Sequence, residues 1–493
     1  MSAGPVTDLP RSAAHLDRSL VRGIAWTAGL KWLTQVLSWA STIIVARLLT
    51  PDDYGLVGMA SVYVGLVQLV NEFGLGAAIV QRRDLSADQI ARLGGVSVLF
   101  GLGFCLVSVV ASPAIAAFFE APAVRWVVVA LSTTFLTTAF QVVPRALLQR
   151  DLRYPRLAVL DGIEATSITL GTIGFAIAGW GYWSLVAGNL GGRLVGTVVA
   201  ILARPHRIAW PSPLRSIAAE VAFGSHIVVS RIAWYVYNNA DRAIVGRALG
   251  SAALGAYGLA WSLANLSVDR ISVLVTRVTP AVFSAVQKDP AALRRYLLGL
   301  TEGVALVAFP VSAGLALVAT PFVHAVLGSR WSGAIVPMQI LALYSGFRAI
   351  STLLPQILVN TGHARRSMEF SIIAAVVLPL AFVVGSRWGT VGVAIGWVVG
   401  YPLVTIPLFY RTAFRIVGLG PGAYLAALWP AASGTIVMAI AVIAADRAIA
   451  PTVSPGWRLG ALVATGAVVY ASMVWGLHAE RIRRVLSMAR AHA

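Results

Sequence analysis

The sequence predicts an all-α membrane protein of about fourteen transmembrane helices, and three observations carry that prediction. Charged residues are only 12% of the chain, about half the share of roughly 25% in a soluble domain, too few to cover a water-soluble globule of 493 residues. Mean hydropathy is +0.80. Apolar stretches of about 20 residues, enough to cross a hydrocarbon core of about 30 Å as a helix, recur along nearly the whole chain. These stretches are apolar on every side, as in IIAAVVLPLAFVV at 372–384. Strands of a membrane barrel would instead alternate over about ten residues.

In chain order the expected spans are 24–48, 54–80, 93–119, 124–147, 157–179, 182–203, 220–248, 254–283, 298–327, 332–360, 367–387, 390–411, 422–446 and 458–478. Residues 1–20 are polar and lack the apolar run of a secretory signal, so the first span is expected to direct insertion. The lone cysteine, Cys105, lies in the third span and can form no internal disulfide. The seven histidines show no metal-ligand spacing, and no cofactor is expected.

The formal net charge of +19 does not indicate a nucleic-acid face, because the basic residues fall in alternate loops. One set of loops carries Arg82 and Arg83, Arg150, Arg153 and Arg156, Arg204 and Arg207, Arg294 and Arg295, Arg365 and Arg366, and Arg411 and Arg415. The other set, including 49–53, 180–181 and 249–253, is short and nearly free of Lys and Arg. Basic loops stay in the cytoplasm. Both termini are then expected to be cytoplasmic, which requires an even number of spans. No hydrophilic insertion is large enough to be an enzyme domain.

A shift of 200 residues aligns IVARLLTPDDYGLVGMA at 44–60 with IVGRALGSAALGAYGLA at 244–260. Arg47, Gly55 and Gly58 meet Arg247, Gly255 and Gly258, and upstream Lys31 meets Arg231. With small further shifts Pro144 answers Pro355, and Trp180-Gly181 answers Trp388-Gly389. Six spans per copy give a parallel repeat, a plan in which the transport site lies between the halves. The expected divisions are 1–210, 211–418 and a further two-helix segment, 419–493.

A charge at mid-membrane costs about 2.5–3.5 kcal/mol on insertion scales, so intramembrane polar positions are informative. Lys31, Gln35, Ser38 and Thr42 share one face of the first span, and Arg231, Tyr235, Asn238 and Arg242 share the same face of the seventh. If these faces line a cleft, the cleft is cationic and suits an anionic headgroup such as a diphosphate. Each close charge pair would contribute about 4 kcal/mol at an effective dielectric near 20, before desolvation. The other reading, for Lys31 and Arg242, is that their charges reach the interface from helix ends. Asp241 and Arg242 also form a candidate structural pair. Gln141 and Arg145, with Thr134 and Thr138 on one face of the fourth span, are candidates to line a sugar path. Asp161 and Glu164 share a face of the fifth span and Asn265 and Asp269 one of the eighth. These acids are candidates for ion coupling, or for pairing with Arg231, Arg270 or Arg277.

The turn Arg47-Leu48-Leu49-Thr50-Pro51-Asp52-Asp53-Tyr54-Gly55, followed by Glu72-Phe73-Gly74-Leu75-Gly76-Ala77-Ala78-Ile79-Val80-Gln81, resembles the opening of Wzx-type oligosaccharide flippases and polysaccharide exporters, within the MOP exporter superfamily. The resemblance implies a MOP/MATE-like fold of two six-helix bundles plus two helices. It also implies alternating access in a bacterial inner membrane. The implied substrate and partner is an undecaprenyl-diphosphate-linked repeat unit, with polysaccharide polymerase or export machinery as further candidate partners. The expected cavity cations fall by helix position on Lys31, Arg231 and Arg242. The alternative is a multidrug cation antiporter of the same superfamily, which should favour an acidic, aromatic cavity. A membrane-embedded glycosyltransferase would need an extended outer loop with catalytic groups, and the outer loops are short.

Overall fold

The computed structural model describes Gly29, Gln35 and residues 37–71, 75–210, 218–449 and 453–490; side chains are described throughout these except at 71, 218–231, 266–278, 281 and 477–490. The described residues are helical, without a strand. The helices are α1 (Leu37–Leu48), α2 (Pro51–Asn71), α3 (Leu75–Gln81), α4 (Ala87–Phe118), α5 (Ala123–Ser132), α6 (Thr134–Arg150), α7 (Tyr154–Ile177) and α8 (Trp183–Ala203). They continue as α9 (Ala218–Ala285), α10 (Pro290–Phe322), α11 (Ile335–Ser351), α12 (Leu353–Asn360), α13 (Ala364–Gly385), α14 (Gly389–Thr405), α15 (Arg411–Val417), α16 (Pro421–Ala448) and α17 (Pro455–Arg490).

Eleven stretches among the described residues are long and apolar enough to cross a membrane. The difference from the fourteen expected has identifiable sources. Most of the first expected span falls outside the described residues. The spans expected at 367–387 and 390–411 lie in one continuous stretch, Ala364–Val417. Side chains over much of 254–283 are not described. Along α13, Ile372, Val376, Leu380 and Val383 are all exposed. A continuous exposed apolar face of this kind suits lipid.

The chain folds as two units. One comprises Tyr63–Val229 with Met1–Leu49, and the other Thr50–Val62 with Ser230–Ala493. In the first unit α7 and α8 pack closely through Gly188, Gly192 and Gly196. A Cβ at these three positions would overlap Thr172, Ile168 and Glu164 respectively. Small residues four apart let backbones approach, which drives helix association in lipid through packing and local hydrogen bonds. The second unit is centred on Phe283, Leu297, Leu354, Tyr410 and Tyr424.

The turn that carried the resemblance is built from capping and packing. Thr50 caps α2: its N and Oγ1 donate to Asp53 Oδ2 at 2.9 and 2.6 Å, and Asp53 N donates back to Thr50 Oγ1 at 3.2 Å. Pro51 takes the first helical position, where its missing N–H costs nothing. Tyr54 meets Trp331 edge-on, with centroids 5.2 Å apart. At the position 200 residues after Thr50, Gly250 adopts φ +84° and interrupts α9, which is helical over 218–249 and 251–285. Gly55 lies against the Ser251 carbonyl, and Gly255 against the Pro51 carbonyl. The 200-residue offset thus reappears as a reciprocal backbone contact, joined by a hydrogen bond from Ser251 Oγ to Asp52 Oδ1. The matched turns behave alike too: Gly181 and Gly389 both take positive φ, +54° and +69°, a conformation with little cost only for glycine.

Candidate functional site

In the first unit, α6, α7 and α8 assemble a polar network. Arg145 is its centre. Its Nη1 reaches Asp161 Oδ1 at 2.5 Å and its Nη2 reaches Glu164 Oε2 at 2.8 Å. Its Nε donates to Gln141 Oε1 at 2.6 Å. Gln141 passes the chain on to Thr197 Oγ1 at 2.9 Å. Asp161 and Glu164 face one guanidinium because three residues is less than one helical turn. Among the described residues the cation that meets them is Arg145; the side chains of Arg231, Arg270 and Arg277 lie outside the description. Of the path proposed along α6, Gln141 is buried, Thr138 accepts from Gln68 Nε2 at 3.1 Å, and Thr134 bonds back to the Leu131 carbonyl at 2.6 Å. Thr138 and Gln141 are thus engaged across helices and Thr134 within its own segment.

On α1, Ser38 is exposed and its carbonyl accepts from Thr42 Oγ1 at 2.9 Å. Gln35 is half-buried. Lys31 lies outside the described residues. Arg231 and Asp269 lie on the helical backbone of α9, and their side chains are outside the description.

The second unit places Tyr235, Asn238 and Arg242 along α9, each with its own partners. The Tyr235 hydroxyl donates to the Val62 carbonyl of α2 at 2.9 Å. Asn238 Nδ2 bonds the Trp234 carbonyl one turn back at 2.8 Å. Arg242 Nη1 donates to Asn239 Oδ1 at 3.2 Å, and the guanidinium lies 5.8 Å from the centroid of the Trp261 ring. Its Nε is buried without a hydrogen-bond partner among the described residues.

Two features here go beyond the sequence reading, which named Asp241 only as a candidate partner of Arg242 and did not name Arg348. Asp241 is fully buried, and its Oδ2 accepts from the Tyr257 hydroxyl at 2.8 Å and from Trp397 Nε1 at 2.9 Å. The backbone N–H of Arg242 donates to its Oδ1 at 2.8 Å. Around it Trp261, Tyr344 and Trp397 pack with centroids 4.9–5.9 Å apart. Nearby in the same unit, Arg348 Nη1 donates to Asn265 Oδ1 at 2.8 Å, and Ser345 Oγ shares that oxygen at 3.3 Å. A single arginine inside the expected span 332–360 was the available signal for Arg348. Among the described residues, no group of His, Cys, Asp and Glu could hold a metal ion.

The sequence profile of a family described as polysaccharide biosynthesis protein matches residues 44–336, more than half of the chain. The chain belongs to this family. Among its relatives is the lipopolysaccharide biosynthesis protein WzxC of Escherichia coli (strain K12), 24% identical over 421 residues, covering 84% of this chain and 85% of that one. The fold is that of the lipid II flippase MurJ in an inward closed conformation: TM-score 0.77 at 13% identity, over 92% of this chain and 99% of MurJ. A multidrug resistance MATE family transporter of the MOP superfamily, inward-facing, matches with a TM-score of 0.65 at 17% identity, over 78% of this chain and 95% of that chain. The expected kinship with Wzx-type exporters and the MOP fold therefore holds, and this family member is a multi-pass membrane protein.

Proposed function

We propose that the protein moves an undecaprenyl-diphosphate-linked oligosaccharide repeat unit from the cytoplasmic to the periplasmic leaflet by alternating access, for exopolysaccharide, capsule or O-antigen synthesis. The observation that carries this reading is the match to a lipopolysaccharide biosynthesis protein over most of both chains, on the fold of a lipid II flippase. The basic loops support an inner-membrane topology with both termini cytoplasmic and an even number of spans, fourteen in this reading, and the 200-residue repeat supports divisions at 1–210, 211–418 and 419–493. In this reading Lys31, Arg231 and Arg242 contact the diphosphate, with Gln35, Ser38, Tyr235 and Asn238 as polar neighbours. Gln141 acts as a support, because it is buried and bonded to Arg145 and Thr197. Ion coupling through Asp161 or Glu164 requires their pairs with Arg145 to open during the cycle; Asp269 is the third candidate.

The multidrug antiporter is the second reading, favoured by the fold shared with a MATE transporter. Cationic stripes on the first and seventh spans argue against it.

The test is a deletion strain in which lipid-linked oligosaccharide and secreted polysaccharide are both measured. Build-up of repeat units on the cytoplasmic leaflet with loss of polymer, both reversed by the wild-type gene, is expected. An unchanged strain, once redundant flippases are removed, would overturn the proposal; drug resistance on overexpression would favour the antiporter. Lys31→Ala with Arg231→Ala should abolish export while the protein still inserts.

A further inference from the structure

A cavity of about 840 Å³ opens in the second unit where α10, α11, α15 and α16 converge. Its walls are apolar, with Phe309, Phe347, Leu425 and Leu428 contributing. Its lining also includes Arg411 and Arg415, one turn apart on α15 and both exposed. Among the described residues neither arginine has a hydrogen-bond or ion-pair partner. Arg294 comes to the same place from the start of α10, donating from Nη1 to the carbonyl of Gly418, a lining residue, at 3.2 Å. α16 begins there as well, at Gly420, with no side-chain cap on its first turn.

We infer that this cavity is a binding site for an anionic phospholipid of the surrounding membrane, with an acyl chain in the apolar space and the phosphate between Arg411 and Arg415. Three features point to that occupant. The arginines belong to a loop that the charge pattern assigns to the cytoplasmic face, where basic pockets between transmembrane helices select anionic headgroups. Arginine presents a planar fork of donors that matches phosphate oxygens, and the uncapped N–H groups of a helix start favour negative charge beside it. The lining is poor in groups that could recognise sugars. Apart from the arginines, its polar side chains are Tyr410 and Tyr424. The Tyr410 hydroxyl is engaged with Ser351 Oγ at 2.9 Å, and Tyr424 is buried. A headgroup as small as phosphoglycerol fits such a rim better than an oligosaccharide does.

None of the lining residues is among the positions proposed to carry the transported lipid, so failure of this site would leave the flippase reading intact. The experiment is native mass spectrometry of the purified full chain with phosphatidylglycerol and phosphatidylcholine of identical acyl chains. Wild type should retain phosphatidylglycerol roughly thirtyfold better, the ratio expected when two guanidinium groups each favour the anionic lipid by about 1 kcal/mol. Arg411→Gln with Arg415→Gln should bring that ratio near one. Arg411→Lys with Arg415→Lys should keep most of it, which separates lost charge from lost folding. Leu428→Trp, which fills the cavity, should lower retention of both lipids. Equal retention of the two lipids by wild type would overturn the inference, as would an unchanged ratio in the glutamine variant. Release of the bound phosphatidylglycerol by an equal concentration of undecaprenyl diphosphate would overturn it too, by assigning the cavity to the transported lipid.

Discussion

In the first unit a guanidinium, Arg145, holds two carboxylates. One of these, Asp161, has a side chain 52% exposed, and the other, Glu164, 16%. In the second unit a fully buried carboxylate, Asp241, is held by neutral donors from Tyr257 and Trp397. Arg242, next to it in sequence, gives Asp241 its backbone N–H, while its guanidinium goes to Asn239 and the Trp261 face. The two units thus hold their intramembrane carboxylates in two different ways. Where part of the group is exposed, opposite charges can meet and part again without either being sealed in the core. Where burial is complete, the charge relies on donors fixed by an aromatic shell, and losing a donor exposes the full desolvation cost. The first arrangement suits a part that rearranges, the second a part that holds its shape.

The largest effect should come from the buried side of this comparison. Asp241→Leu strands the Tyr257 hydroxyl and Trp397 N–H, and should cost about 4 kcal/mol, read as loss of folded protein in detergent thermal unfolding. If the variant unfolds like wild type, Asp241 does not anchor the second unit. Arg145→Ala leaves Glu164 without its cation and should cost about 2 kcal/mol, discounted for its partial exposure. A Glu164→Gln change in the same background should recover part of that loss, which a purely steric role for Arg145 would not allow. Tyr257→Phe removes one of the three donors and should cost about 1.5 kcal/mol. Asp161→Asn should be smallest, about 0.5 kcal/mol. A larger loss at Asp161 than at Tyr257 would reverse the contrast between the units.

The spans were legible because twenty apolar residues without charge have few other fates, and the repeat because matched Gly, Pro, Arg and Trp-Gly positions stand out against low-complexity apolar sequence. The polar sites were legible in part. The i, i+3 spacing of Asp161 and Glu164 showed that they share a face, yet not that one cation meets both, because Arg145 reaches them from another helix. Asp241 drew notice only for its neighbour Arg242. Its actual donors lie 16 and 156 residues further along, a distance over which helical periodicity carries no information. The conspicuous motif around Thr50 to Gly55 had a local explanation in helix capping, visible as Thr-Pro-Asp-Asp. Its second purpose, the close crossing at Gly55, needed the structure.

That crossing has a consequence for how the gene can change. Gly55 sits under the carbonyl of Ser251, and Gly255 under that of Pro51, so each copy of the duplicated segment forms part of the other's mould. The two matched stretches are not free to change independently there. A bulkier residue fixed in one copy is permitted only if the opposite backbone withdraws, and the same holds in return. Positions outside such close crossings are free of this reciprocal constraint, and the likeness between 44–60 and 244–260 is readable where the two segments meet backbone to backbone.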